Sequence, residues 1–227
     1  MISAVLSTYR HTFISHQKKT IQFLSAHKLI ILDVVERLFI IALFLRFVAR
    51  AIGHLEDADL RLVLLLVSET LPIFFIVLRK PSNTLSTRLS DWVYALAGSA
   101  MPLLVSPGVT NPVLPIAICY SLILLGLFTQ VAAKAILAKS FGVVAANRGV
   151  KSSGPYRVVR HPMYAGYTLT HIGLWLAAPS PLNAALYIAA LLLQVGRIQR
   201  EERVLSEDPA YREFSQRVGY RLLPGVF

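Results

Sequence analysis

Six apolar stretches separated by polar connections run along this chain, at about residues 29–49, 61–79, 92–106, 113–133, 162–178 and 182–199. A helix needs roughly 20 residues to cross a hydrocarbon core of about 30 Å, so each stretch reads as a candidate membrane span. The third and fifth are short, which a tilted, kinked or incompletely spanning helix accommodates. "PSP" at 179–181 separates the last two. Proline fixes φ and stops the preceding helix, so these spans form a tight antiparallel hairpin. The hairpin brings "RHPMY" (160–164) close to "GRIQREERVL" (196–205). Beyond residue 205, Tyr211, Phe214 and Val218 recur at helical spacing between Arg212, Glu213 and Arg217. That pattern predicts an amphipathic surface helix lying on the headgroups.

The expected fold is therefore all-α and integral to the membrane, with about six transmembrane helices and a cytoplasmic amphipathic helix at the C-terminus. One membrane domain spans residues 1–227, with a helical scaffold over 1–133 and most of the polar chemistry over 134–227. Composition agrees: 55% of the 227 residues are hydrophobic and 15% charged, where soluble domains carry about 25% charged residues. The first 28 residues are basic and mildly amphipathic, without the apolar core and small-residue cleavage site of a secretory leader.

The net charge of +11 is distributed as a topology signal rather than as a nucleic-acid footprint. Arg10, Lys18, Lys19 and Lys28 precede the first span, whereas Glu56, Asp57 and Asp59 follow it. Arg79, Lys80 and Arg88 mark the next connection, and 106–112 is uncharged. Lys134, Lys139, Arg148, Lys151, Arg157 and Arg160 precede the fifth span, while 178–183 has no charge. Basic loops prefer the cytoplasmic side, so six spans with both termini cytoplasmic satisfy every connection.

Within the spans, Asp33 and Arg37 stand at i,i+4 in the favourable acid-first order and read as a structural pair, with a ligand contact as the second reading. Glu69 is deeper and has no local partner in sequence. An intramembrane carboxylate is a functional candidate, and a neutral Glu bonded to a neighbouring helix is the other reading. The single cysteine, Cys119, supports neither a disulfide nor a thiolate metal cluster, and no paired-His spacing, P-loop or strand-linked glycine fingerprint occurs, so no metal is expected.

The polar chemistry concentrates in two places. In "RHPMY", proline disfavours helix in the residue before it and suits the first helical turn, which puts His161 at the N-cap and Pro162 at the first helical position. A helix start with Arg157 and Arg160 beside it attracts an anion, and Tyr164 lies on the same turn. A positive-inside belt with interfacial tyrosines is the blander reading. On the last span Arg197 and Glu201 are i,i+4, with Glu202 turned about 100° away.

"GPYRVVRHPMYAGY" (154–167), the two-span hairpin, "REERVL" and "PAYREFSQRVGYRLLPGVF" together resemble the isoprenylcysteine carboxyl methyltransferase family and its phospholipid methyltransferase relatives, over about residues 139–227. The resemblance implies an integral-membrane enzyme that uses S-adenosylmethionine, releases S-adenosylhomocysteine, and methylates a lipid or lipidated acceptor at the cytoplasmic face. It implies cofactor contacts at Arg148, Gly149, Val150, Lys151, Tyr156, His161, Pro162, Met163, Tyr164, Glu201 and Glu202, and an acceptor-side role for Arg197. "AANRGVKSS" stands where the eukaryotic enzymes have a longer loop. In these roles the helix start suits the cofactor carboxylate, Glu201 its ammonium or ribose hydroxyls, and Tyr156 or Tyr164 its adenine or sulfonium. Arg197 orients an acceptor carboxylate for O-methylation, with Arg197 and Glu201 as the catalytic pair. A phospholipid amine is the alternative acceptor and requires a general base, for which Glu202, His161 and His171 are available. A membrane reductase using NADPH and a non-catalytic membrane scaffold are the remaining readings. The resemblance also favours the tail as a cap over the cofactor rather than a surface helix.

Overall fold

The computed structural model describes residues 2–52, 60–79, 82, 84–106 and 111–227, with side chains from residue 27 onward except Arg61. The acidic connection of Glu56, Asp57 and Asp59, the side chains of Arg10, Lys18 and Lys19, and Lys80 lie outside the described residues. The described residues form seven α-helices: α1 (Ile2–Ile52), α2 (Leu60–Leu78), α3 (Leu89–Ala100), α4 (Ile116–Leu137), α5 (Pro162–Ala177), α6 (Pro181–Leu205) and α7 (Pro209–Arg217). Among the described residues there is no strand.

Two segments, Ile116–Ser140 and Pro181–Leu205, are long and apolar enough to cross a membrane, and Leu62–Leu78 is apolar but shorter. The count of six spans is thus not reproduced by length and composition. The first apolar stretch is one part of a continuous 51-residue helix. The third gives 12 helical residues before Pro102 enters a 3₁₀ turn, Met101–Leu104, because proline cannot extend the α-helical hydrogen-bond ladder. α4 and α6 expose large apolar side chains outward, among them Phe128 at 72% and Leu192 at 66%, a pattern suited to lipid and costly in water.

α4 and α5 pack backbone to backbone. A Cβ on Gly166 would stand 2.7 Å from the Gly126 carbonyl oxygen, and one on Gly173 would stand 2.9 Å from that of Cys119. Such close approach is the usual device for helix association in lipid, where hydrophobic driving force between helices is lacking. α6 lies against α3, where Arg203 reaches the buried Asp91 at 2.6 Å and Arg200 covers the Tyr94 ring at 3.5 Å. The "PSP" turn joins α5 to α6, and the far ends of these helices do meet, as described below.

A charged cluster ties α1 and α2 to the loop after α4. Arg37 pairs with Asp33 at 2.7 Å and also donates to the carbonyls of Ile76, Val77 and Arg79 at the end of α2. Those carbonyls have no intrahelical donor, so Arg37 caps α2. Arg79, with its side chain fully buried, bridges Asp33 and Glu36, each at 2.6 Å. Glu36 in turn accepts the backbone N–H groups of Val143 and Val144 at 2.9 and 3.0 Å.

The tail departs from the surface-helix expectation. α7 starts at Asp208, whose carboxylate accepts from the Ala210 N–H at 2.9 Å and from Asn147 Nδ2 at 2.8 Å. Tyr211, Phe214, Val218 and Leu222 are all buried. The apolar face of the tail therefore docks on protein: the Arg160 and His161 N–H groups donate to the Tyr220 and Arg221 carbonyls at 2.9 Å.

Candidate functional site

The site is built where the mouth of α5, the end of α6, the 138–151 loop and the tail converge. His161 is the N-cap of α5 and Pro162 its first residue, as the X-Pro geometry predicts. Three backbone donors around that start are already paired: the His161 N–H goes to Arg221, and those of Tyr164 and Ala165 return to the His161 carbonyl. The loop adds further anion-binding potential, because Arg148 has Nε and Nη2 buried without a partner among the described residues. Burial, then repulsion from Arg79, lowers its pKa to about 10, so the guanidinium is still charged at neutral pH. Gly142 permits this position, since a Cβ there would meet Arg148 Nη1 at 2.2 Å.

One cavity of about 100 Å³ gathers most of the sequence-selected residues: Arg148, Gly149, Val150, Lys151, Tyr156, His161, Met163, Tyr164 and Glu201 all line it. The sequence did not single out Gly142, read Arg160 only as positive charge beside the helix start, and left Tyr211 and Phe214 between two readings; all four contribute to the wall. Tyr211 and Phe214 come from α7, so the tail caps this cavity. Burial, then the Glu201 charge, raises the Tyr156 pKa, and burial, then Glu202, does so for Tyr211. Both hydroxyls remain neutral donors.

Two residues selected from sequence take no part in that wall. Pro162 is buried within the first turn of α5, and Glu202 points away from Glu201 into a separate cluster. Glu202 meets His161 Nε2 at 3.3 Å, Arg160 Nε at 3.1 Å, Arg221 Nε at 2.8 Å and the Tyr211 hydroxyl at 3.3 Å. It fastens α6 to α5 and to the tail. The turn of about 100° between adjacent helical residues is what separates the two glutamates.

Glu201 faces the cavity and accepts from the Tyr164 hydroxyl and from Arg197 Nε, the latter at 3.0 Å. Arg197 also donates through Nη2 to the Gly142 carbonyl at 3.0 Å, and its guanidinium lies 5.1 Å from the centre of the Tyr164 ring. These contacts hold it in one orientation. Its own outlook is a second cavity, of about 60 Å³, lined also by Glu69, Ile73, Phe141, Tyr167 and Gln194. Met163 and Tyr164 line both spaces and form their common wall. A polar, loop-capped cavity and a helix-lined one thus meet at two residues of the "RHPMY" segment.

His171 is not near either. It lines a third, almost wholly apolar cavity between α5 and α6, against Tyr187 at 4.6 Å between ring centres. The Asp33–Arg37 pair is structural in its contacts and lines neither space.

No curated protein matches the chain. Residues 114–211, from the start of α4 to the first turns of α7, match the phospholipid methyltransferase family. The match agrees with the resemblance read from the sequence: over residues 114–211, a stretch that contains Arg148, His161, Tyr164, Arg197 and Glu201, this chain is similar to that family.

Proposed function

We propose that this protein is an S-adenosylmethionine-dependent methyltransferase of the membrane, with the cofactor in the loop-capped cavity and the head of a lipid acceptor in the cavity of Arg197. The observation that carries the reading is the pair of cavities that share Met163 and Tyr164 in their linings. Methyl transfer requires two reactants to be held in line at close range, and positioning alone supplies much of the acceleration.

The chemistry of the first cavity suits the cofactor. The unpartnered Arg148 guanidinium would hold its carboxylate, Glu201 its ammonium or ribose hydroxyls, and Tyr156 and Tyr164 would lie against adenine or sulfonium. When bound, S-adenosylmethionine supplies an activated methyl group on a positively charged sulfur. The protein's own residues bind, orient and exclude water: α7 closes the cavity through Tyr211 and Phe214, while Glu201 and Gly142 fix Arg197. The remaining nitrogen of Arg197, Nη1, has no hydrogen-bond partner and is the group offered to an anionic part of the acceptor.

The acceptor has two readings. A carboxylate held by Arg197 would be O-methylated without a base, as the isoprenylcysteine resemblance implies. An amine is the second reading, favoured by Glu69 and Gln194, which line the same cavity and offer acceptor atoms. Two apolar helices and the family support a membrane location; six spans, cytoplasmic termini and a cytoplasmic site remain part of the proposal.

The test is calorimetry with S-adenosylhomocysteine on the detergent-solubilised protein, followed by incubation with methyl-labelled S-adenosylmethionine and a total lipid extract. Binding that Glu201→Ala abolishes, with label entering one lipid class, is the expected result. Failure of the wild-type protein to bind the nucleoside would overturn the proposal.

A further inference from the structure

Several buried acids in this bundle sit in ion pairs: Asp33 and Glu36 with Arg79, Asp91 with Arg203, Glu202 with Arg160 and Arg221. Glu69 on α2 is in no such set, although the buried Lys134 of α4 faces it without an ion-pair contact. It is buried, has no ion-pair partner among the described residues, and is contacted through Oε1 by the Ser68 hydroxyl at 3.3 Å. Behind Ser68 a chain of fully buried groups continues across the bundle. Gln130 Nε2 donates to Ser68 Oγ at 3.3 Å, and Lys134 Nζ donates to Gln130 Oε1 at 3.0 Å while lying over the Tyr167 ring. Every donor in the chain points toward Glu69, and hydrogen bonds in series polarise one another, so the chain favours negative charge at its end.

The free end of that chain is the acceptor cavity. Among the described residues Oε2 of Glu69 has no hydrogen-bond partner, and Glu69 is the one acid among the residues that line the cavity with Arg197. On the same wall Gln194 is buried with its Oε1 unpartnered. A buried acceptor without a donor is unfavourable, and two of them beside one open guanidinium describe a ligand. The matching head has N–H donors bearing positive charge, next to an anion. A lone carboxylate would satisfy Arg197 and confront Glu69 as a like charge. The other bases available in the sequence are elsewhere: Glu202 is held by Arg160 and Arg221, His161 by Glu202, and His171 lines the apolar cavity.

We propose that Glu69 is the residue of the acceptor cavity that binds the ammonium group of an amine-headed lipid and takes its proton before methyl transfer. This rests on the proposed methyltransferase function and fixes the chemistry of its acceptor. One proton passes from the ammonium, R–NH₃⁺, to the Glu69 carboxylate, leaving R–NH₂ with a free electron pair. That pair forms the new N–C bond as the methyl's bond to sulfur breaks with its electrons remaining on sulfur. The products are R–NH₂⁺–CH₃ and a neutral thioether, and the proton on Glu69 passes to water when the product leaves. Arg197 holds the lipid's anionic group meanwhile. The charged, titratable and polar groups facing Glu69 are Lys134 from α4, Tyr167 from α5, and Tyr187, Gln194 and Arg197 from α6.

The test uses the full-length protein in phosphatidylcholine nanodiscs containing either phosphatidylethanolamine or oleic acid. Native mass spectrometry after detergent release reads which lipid is retained, and labelled methyl transfer is followed from pH 6.5 to 9.5. Wild-type protein should retain and methylate phosphatidylethanolamine in preference to oleic acid. Glu69→Gln, which keeps the bond to Ser68, should lose that retention and about 100-fold or more of the transfer. The residual transfer should climb about tenfold per pH unit as the amine deprotonates unaided, a profile that a structural role for Glu69 would not produce. S-adenosylhomocysteine affinity should stay within about twofold of wild type, since Glu69 does not line that cavity. Equal retention and transfer by Glu69→Gln, or a wild-type preference for oleic acid, would overturn the inference and leave the methyltransferase reading in place. Should Glu69→Gln not fold, the wild-type lipid preference decides the matter alone. Absence of nucleoside binding would instead remove the methyltransferase reading, and the retention arm would still report on Glu69.

Discussion

Replacing Glu36 tests whether the scaffold helices hold the cofactor loop. Its carboxylate is fully buried and accepts four hydrogen bonds: two from Arg79 at 2.6 and 2.8 Å, and one each from the N–H groups of Val143 and Val144. In Glu36→Gln the amide oxygen can still serve the two backbone donors, but the charge is lost and an NH₂ faces the guanidinium. Breaking a buried ion pair costs about 3–5 kcal/mol. Arg79 keeps Asp33 at 2.6 Å, which argues for the lower end, about 3 kcal/mol. In Glu36→Ala the two backbone N–H groups are also orphaned, adding about 1–3 kcal/mol each. The sum approaches the whole stability of a typical domain, about 5–15 kcal/mol, so little folded Ala variant should be recovered. The assay is reversible denaturation of the solubilised protein, with S-adenosylhomocysteine titrated into the folded fraction. The Gln variant should also bind the nucleoside more weakly, because the 141–148 segment supplies Gly142, Val144, Ala145, Ala146 and Arg148 to the cavity. A Gln variant within about 1 kcal/mol of wild type, with unchanged affinity, would refute the reasoning.

Other outcomes follow from the same geometry. Arg148→Met should weaken S-adenosylhomocysteine binding by about 10- to 150-fold, the worth of one hydrogen bond to a charged group, without lowering apo stability, since two of its nitrogens have no partner to lose; calorimetry and thermal unfolding check the two halves. Arg197→Ala should reduce turnover with lipid far more than nucleoside affinity, because Arg197 lines the acceptor cavity and not the cofactor cavity; equal losses in both would place it elsewhere. Gly166→Ala should destabilise by about 1–3 kcal/mol, the usual cost of overpacking, because the new methyl meets backbone of Gly126 and Gln130 that cannot rotate away; a denaturation midpoint unchanged from wild type would contradict this. Asp208→Ala should loosen α7 and raise the nucleoside dissociation constant. Its hydrogen bonds with Asn147 and then the Ala210 N–H depress the Asp208 pKa, so its contribution is present at neutral pH and fades as pH falls through that lowered titration, which proteolysis of the tail at pH 7 and pH 3 would reveal.

Much of the site was legible along the chain because its signals are local. Proline geometry alone set His161 at a helix start, the i,i+4 rule paired Arg197 with Glu201 and Asp33 with Arg37, and the "PSP" turn required the mouths of α5 and α6 to meet. All-helical, membrane-compatible character followed from runs of apolar residues that no soluble fold would tolerate outside. Where one residue's conformation or its neighbours one helical turn away decide the outcome, sequence suffices.

Distance in the chain is where sequence reading stopped. Nothing in it linked Glu36 to Val143, 107 residues away, or Arg79 to either acid on α1. Adjacent Glu201 and Glu202 looked interchangeable, and only the packing of α6 turned one into the cavity and the other toward Arg160 and Arg221. The sequence did not show that the His161 N–H at the helix start is taken by a carbonyl of the tail. Summed hydropathy also says nothing of helix lengths: the third apolar stretch ends its α-helix at Ala100, before Pro102, and the first lies within a 51-residue helix. Above all, the division of one polar region into two cavities at Met163 and Tyr164, with Glu69 facing Arg197, exists only in three dimensions. Sequence determined which groups this protein has to work with and how each one's own helix presents it; tertiary packing decided which groups share a space, because burial and charge pairing are properties of neighbours brought from far along the chain.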